Sequence, residues 1–173
     1  MSHRAASIVG RYRAQLVLRV MRNLVFLGTA QRFSDFALLL QRIFVGLFLV
    51  WGVWDNITSA ERMHEFVEFL TKHGFPSPRL LAPLSVYLQL AIGLAFIFGV
   101  FTRWAGLLCA IHFAIAIAMV DRFGGMRGIF PSGCLMVIGL YLATYGAGRF
   151  SVDAALGANE VPRVLGGGVR LKK

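Results

Sequence analysis

Two polar side chains sit inside stretches that are otherwise almost wholly apolar. Gln89 lies within LAPLSVYLQLAIGLAFIFGVF (Leu81–Phe101) and His112 within WAGLLCAIHFAIAIAMV (Trp104–Val120). An amide donates and accepts hydrogen bonds but has no titratable proton, whereas an imidazole titrates near neutral pH. Gln89 therefore suits an interhelical bond or a quinone carbonyl, and His112 can in addition move a proton. Each lies eight positions into its stretch, about 12 Å at helical rise, from opposite membrane faces. In a hydrocarbon core of ~30 Å their depths differ by only about 6 Å. The two share one polar centre if their helix faces meet. The plainer alternatives are glue between helices for Gln89 and a neutral, hydrogen-bonded imidazole for His112.

Other residue types with chemistry are more scattered. Cys109 is five residues in from one face and Cys134 five in from the other. The depth gap of about 15 Å exceeds the ~7 Å Cα separation that a disulfide allows, so both read as packing residues. His64 and His73 lie between apolar runs and His3 near the start of the chain, which leaves no second in-span histidine for bis-histidine haem. Glu61, His64, Glu65 and Glu68 fall on one helical arc, which suits either metal ligation or, more commonly, a solvated face. Arg42, six residues into the first apolar run, is long enough to snorkel to the headgroups, or to pair with Asp35 or Asp153. No dinucleotide fingerprint or phosphate loop is present.

These residues need elements to hold them. The apolar runs are Phe36–Trp54, Leu81–Phe101, Trp104–Val120 and Ile129–Gly148. Roughly 20 helical residues cross a bilayer, and in lipid each backbone polar group must be paired within its own segment, so the runs are predicted to be four spanning helices. Composition agrees: 57% of the 173 residues are hydrophobic and 15% charged, with mean hydropathy +0.68. That excludes an ordinary soluble domain. The fold expected is all-α, an integral membrane four-helix bundle. Between runs one and two, Met63, Phe66, Val67 and Leu70 recur at helical spacing with Glu61, Glu65 and Glu68 on another arc. This predicts a short amphipathic helix over Ser59–Lys72, capped by Ser59 and closed by Gly74. Leu16, Val17, Val20, Leu24 and Leu27, opposite Gln15, Arg19 and Arg22, predict an N-terminal interfacial helix.

The organisation expected is a basic cytoplasmic arm over 1–35, a four-span domain over 36–156 and a flexible basic tail over 157–173. The net charge is +10. The arginines flank apolar runs, which fits anionic lipid headgroups rather than nucleic acid. Twelve basic residues fall on one side of the four spans, against Arg62, Lys72, Arg79, Arg122 and Arg127 on the other. The positive-inside rule then places both termini in the cytoplasm of a bacterial inner membrane.

The chain resembles the DoxX family of small four-helix membrane proteins. The resemblance is carried by Arg42 with Gly46 and the aromatic exit of span one. It continues in Gly74-Phe75-Pro76-Ser77-Pro78, like the family's G-x-P-x-P turn. Gly93 and Gly99 followed by Phe101-Thr102-Arg103 are like its "GLFTR" ending. Gly146-Ala147-Gly148-Arg149-Phe150-Ser151-Val152-Asp153 resembles its closing G-x-G-R-x-S-x-D. Together these cover about 36–156, and they mark Arg42, Gly74, Pro76, Pro78, Gly93, Gly99, Arg103, Gly146, Gly148, Arg149, Ser151 and Asp153 as structural positions. Gln89 stands where the family often has glutamate, and Phe130-Pro131-Ser132-Gly133 where it often has an acidic residue. No catalytic residue is carried over.

The resemblance implies a membrane subunit of a redox or quinone-linked assembly, with quinone as the cofactor that Gln89 and His112 would contact. The alternatives are a structural or assembly subunit without catalysis and, less well supported, a small-molecule transporter, for which neither an internal repeat nor a broken helix is visible. Expected partners are membrane lipids and either other subunits or further copies of the chain. Lines of small residues, Ala91, Ala95 and Gly99 in one run and Ala110, Ala114 and Ala118 in the next, allow close helix packing.

Overall fold

A computed structural model describes residues 33–157 of the chain, together with Gln15 and Met21. The expected interfacial helix and the basic tail lie outside the described residues. Four long helices carry the fold: α1 (Ser34–Thr58), α3 (Pro78–Phe98), α4 (Thr102–Met119) and α5 (Gly125–Tyr145). A short α2 (Ala60–Lys72) links α1 to α3, a 3-10 turn (Asp121–Gly124) links α4 to α5, and a single turn, α6 (Val152–Ala155), follows. Among the described residues every element is helical. All four long segments have the length and hydropathy to cross a bilayer. Their outward side chains are large and apolar, with Trp51 82%, Phe44 72%, Phe130 70% and Trp104 68% exposed. Such a surface is stable against lipid and not against water. The protein is an all-α integral membrane bundle.

All four long helices start earlier than the apolar runs suggest, most of all at Pro78 rather than Leu81 and at Gly125 rather than Ile129. Proline fits the first helical turn, where no backbone N–H is required, so Pro78 opens α3 instead of delaying it. Pro83 and Pro131 are also helical, each near the beginning of its helix.

The amphipathic link forms as its periodicity dictates. Ser59 accepts from the Arg62 N–H at 3.3 Å. At the other end Gly74 takes φ +73°, Phe75 N–H donates to Leu70 O and Gly74 N–H to Thr71 O, both at 3.1 Å. This is a Schellman closure, with Leu70 buried beneath it. Glu61, Glu65 and Glu68 all face outward.

The core is centred on Leu49, Phe96, Cys109 and Leu142, none of them accessible. Glycines set how closely the helices approach. A Cβ on Gly46 would stand 2.6 Å from the Gly93 carbonyl, so α1 and α3 touch backbone to backbone. A Cβ on Gly106 would stand 2.6 Å from the Gly139 carbonyl, which brings α4 against α5 in the same way.

Candidate functional site

Polar side chains gather in two places, at opposite ends of the bundle. The first is a cluster where α3 ends and α4 begins. Arg42, on α1, is 1% exposed. Its Nε donates to Phe96 O at 3.0 Å, and its Nη1 donates to Ala147 O and to Phe150 O, the latter at 3.2 Å. The expectation that Arg42 snorkels to headgroups is therefore corrected. The carbonyls at the end of α3 and in the segment after α5 have no helical partners of their own, and a planar guanidinium satisfies several at once.

The closing motif completes this cluster. Asp153 Oδ1 accepts from Phe101 N–H at 2.8 Å and Oδ2 from Thr102 N–H at 2.9 Å. Asp153 thus caps α4, and its own N–H donates to Gly99 O at 2.9 Å. Ser151 caps α6 through Ala154 N–H at 3.1 Å, and its hydroxyl donates to Gly148 O at 2.8 Å. Arg103 Nη1 donates to Thr144 O at 2.7 Å at the end of α5. Gly146, at φ +92°, leaves room for that guanidinium, which a Cβ would meet at 3.3 Å. Gly99 leaves room for Arg42 in the same way, at 2.5 Å. Arg149 is exposed. This end is a set of helix caps, arranged for structure.

The second place is a cavity of about 550 Å³ under α2. Phe66, Phe69 and Leu70 of α2 roof it and Phe75 and Pro76 of the turn close one side. Leu81, Leu84, Ser85, Leu88 and Gln89 of α3 form a wall, with His112, Phe113, Ile115, Ala116 and Met119 of α4 facing them. Asp121 and Ser132 complete the lining. Its size is that of a small-molecule site, and its few polar groups are set in apolar walls.

Gln89 and His112 do come together at this cavity, but not as a hydrogen-bonded pair. Gln89 Nε2 donates to Leu49 O on α1 at 3.2 Å. Gly52 makes that possible, since a Cβ there would lie 3.3 Å from Nε2. The amide retains a second N–H and its carbonyl oxygen. Among the described residues His112 makes no hydrogen bond, and its ring lies edge-on to Phe113 at 5.1 Å. Both residues are partly buried.

Sequence reasoning did not single out Asp121. Its Oδ2 is buried without a hydrogen-bond partner. The available signal was a carboxylate immediately after an apolar run. Elsewhere, Cys109 is buried with Sγ 3.7 Å from Leu135 O, while Cys134 is exposed, and both are free thiols. Among the described residues no group of three or more metal-ligating side chains forms. Arg62 and Glu65 form an exposed ion pair at 2.8 Å, which raises the guanidinium's pKa.

A four-span helical bundle with one end held by arginine and aspartate caps and a cavity of small-molecule size at the other is the architecture of an integral membrane protein. The DoxX family model matches residues 37–122. The chain belongs to the DoxX family. The inner membrane protein YqjF of Escherichia coli (strain K12) is 28% identical over 131 residues, covering 73% of this chain and 96% of that protein. The relative and the four apolar helices together support a multi-pass inner membrane protein. No solved structure matches the chain.

Proposed function

We propose that the protein is the membrane subunit of a quinone-linked redox assembly and that it holds the quinone, in one or other redox form, in the cavity under α2. The observation that carries this reading is the meeting of Gln89 and His112 at one apolar cavity of about 550 Å³. Both can hydrogen-bond an oxygen-bearing ring, and the apolar walls suit the ring's body. Leu84 and Ile115 line the cavity and are 57% and 49% exposed on faces that lipid covers. A lipid-soluble ligand thus has a path from the bilayer. The basic asymmetry of the loops supports cytoplasmic termini, which puts the cavity toward the outer leaflet.

Equilibrium binding of decylubiquinone and decylubiquinol to the protein in lipid nanodiscs tests this. At least one form should bind saturably, and Gln89→Leu and His112→Leu should each weaken it about tenfold or more, the loss of one good hydrogen bond in a dry site. Thermal stability should fall only slightly, since hydrogen bonds between membrane helices contribute about 0.6 kcal/mol on average. Absence of saturable binding by either form refutes the reading.

A second reading, an assembly subunit without catalysis, draws on α1. Phe44, Leu47, Phe48, Trp51 and Trp54 line an aromatic groove of about 500 Å³ on its outer face. Mild-detergent purification followed by native mass spectrometry decides it: a stoichiometric partner or a second copy supports the reading, and a lone monomer with lipid removes it.

A further inference from the structure

The polar groups of the cavity differ in what they can accept and donate. Asp121 follows α4, in the 3-10 turn. Its Oδ2 is shielded from solvent and lacks any hydrogen-bond partner, yet the residue lines the cavity. A carboxylate oxygen shielded from water and left without a donor is costly. The residues around it give no relief. Arg122, next in sequence, places its guanidinium over the Phe123 ring at 4.7 Å, and Arg127 is exposed. The neighbouring end of α4 presents carbonyls, which accept and do not donate. Among the described residues no protein donor reaches this oxygen, so a ligand in the cavity that brings a hydrogen would complete the site.

Resting on the quinone reading above, we infer that the cavity is built for the reduced form: the ligand is a quinol, whose hydroxyl donates to Asp121. The two redox forms share their ring and tail but differ in hydrogen-bond sense. A quinone offers carbonyl oxygens, which only accept, so next to Asp121 it sets acceptor against acceptor. A quinol offers two O–H groups. Asp121 lies nine positions after His112 along the chain, roughly 13 Å at helical rise. Asp121 therefore marks the end of the cavity nearest the membrane surface, and Gln89 with His112 the end nearest the midplane. The hydroxyl near the surface meets Asp121. The inner pair, which can donate or accept, tolerates either form. The Ser85 and Ser132 hydroxyls of the lining also donate or accept, so discrimination falls to Asp121.

The test compares anaerobic binding of decylubiquinol and decylubiquinone to the full chain in nanodiscs, for the parent and for Asp121→Asn. In the parent the quinol should bind about tenfold or more tightly than the quinone, as expected for one hydrogen bond to a charged acceptor. Asparagine both donates and accepts, so the variant should bring the ratio close to one, weakening the quinol and strengthening the quinone. Equal affinities in the parent overturn the inference while leaving the quinone reading intact, as does a preference that survives in Asp121→Asn. If neither form binds the parent, the quinone reading itself fails. The parent ratio needs no variant, so a poorly folding Asp121→Asn does not shield the inference. As an independent arm, 4-nonylphenol should bind more tightly than its methyl ether, which has the same body and no donor. Equal binding of those two counts against Asp121 as the selecting group.

Discussion

Replacing Arg42 gives the sharpest check on how the bundle is held. The side chain is 1% exposed and donates to three backbone carbonyls, those of Phe96, Ala147 and Phe150. Hydrogen bonds to charged groups contribute roughly 1.5–3 kcal/mol each in water-soluble proteins. Three of them would sum to well over 4 kcal/mol, but the unfolded state in a membrane finds partners too, and membrane pairs average nearer 0.6 kcal/mol. Three bonds at that lower figure give about 2 kcal/mol. Arg42→Met keeps most of the stem's packing and removes every donor. Its expected cost therefore falls between these limits, at about 3 kcal/mol. Arg42→Lys keeps the charge but replaces the planar fork with a compact ammonium that cannot span carbonyls on two segments, and about half the loss is expected. Unfolding in mixed micelles with increasing sodium dodecyl sulfate, followed by far-ultraviolet circular dichroism, measures both. A headgroup-anchoring arginine would make Lys almost neutral. If both variants lie within about 0.5 kcal/mol of the parent, as surface substitutions do, the clamp does not hold the bundle.

Asp153→Ala removes the acceptors for Phe101 and Thr102 N–H. The expected loss is about 1–2 kcal/mol, as for other helix caps, with faster amide exchange at both positions. Phe101 sits at φ +48°, so Phe101→Gly in the Asp153→Ala background should recover part of the loss, and no recovery would count against backbone strain there. Gly139→Val would place a Cβ 2.7 Å from the Gly106 carbonyl. It should destabilise by roughly 1–3 kcal/mol or more in the same unfolding assay. Gly133→Ala, whose Cβ meets only an Ile129 methyl group at 3.8 Å, should stay within about 0.5 kcal/mol.

The local features of this chain were legible because local physics fixes them. Length and hydropathy define the four spans, since lipid forces each to pair its own backbone. The alternation of Phe66, Val67 and Leu70 with the glutamates defines α2. Ser59 and Gly74 act on backbone groups within a few residues, and so their roles can be read from order alone. Helix starts were less legible, because an apolar run marks the hydrocarbon and not the helix, and Pro78 is as compatible with a first turn as with a break.

What the tertiary structure decided is where each polar side chain sends its hydrogen bonds. Arg42 had three plausible destinations in the sequence, headgroups, Asp35 and Asp153, and went to carbonyls exposed by the ends of other segments. Asp153 stood in the sequence as a structural position of the closing motif and a possible partner of Arg42, yet it caps α4, 51 residues away from Thr102. The depths of Gln89 and His112 differ by only about 6 Å by arithmetic, but their bonding depends on helix rotation, which is set by close approaches such as Gly46 on Gly93. That rotation gave Gln89 the Leu49 carbonyl as its partner. Asp121 shows the same limit most clearly: its position after a span is visible in the sequence, while its unpartnered oxygen at a cavity wall exists only once α2, α3, α4 and α5 have closed around it. Spacing along one chain fixes depth and period. Which faces meet is a property of several helices packed together, and no single segment encodes it.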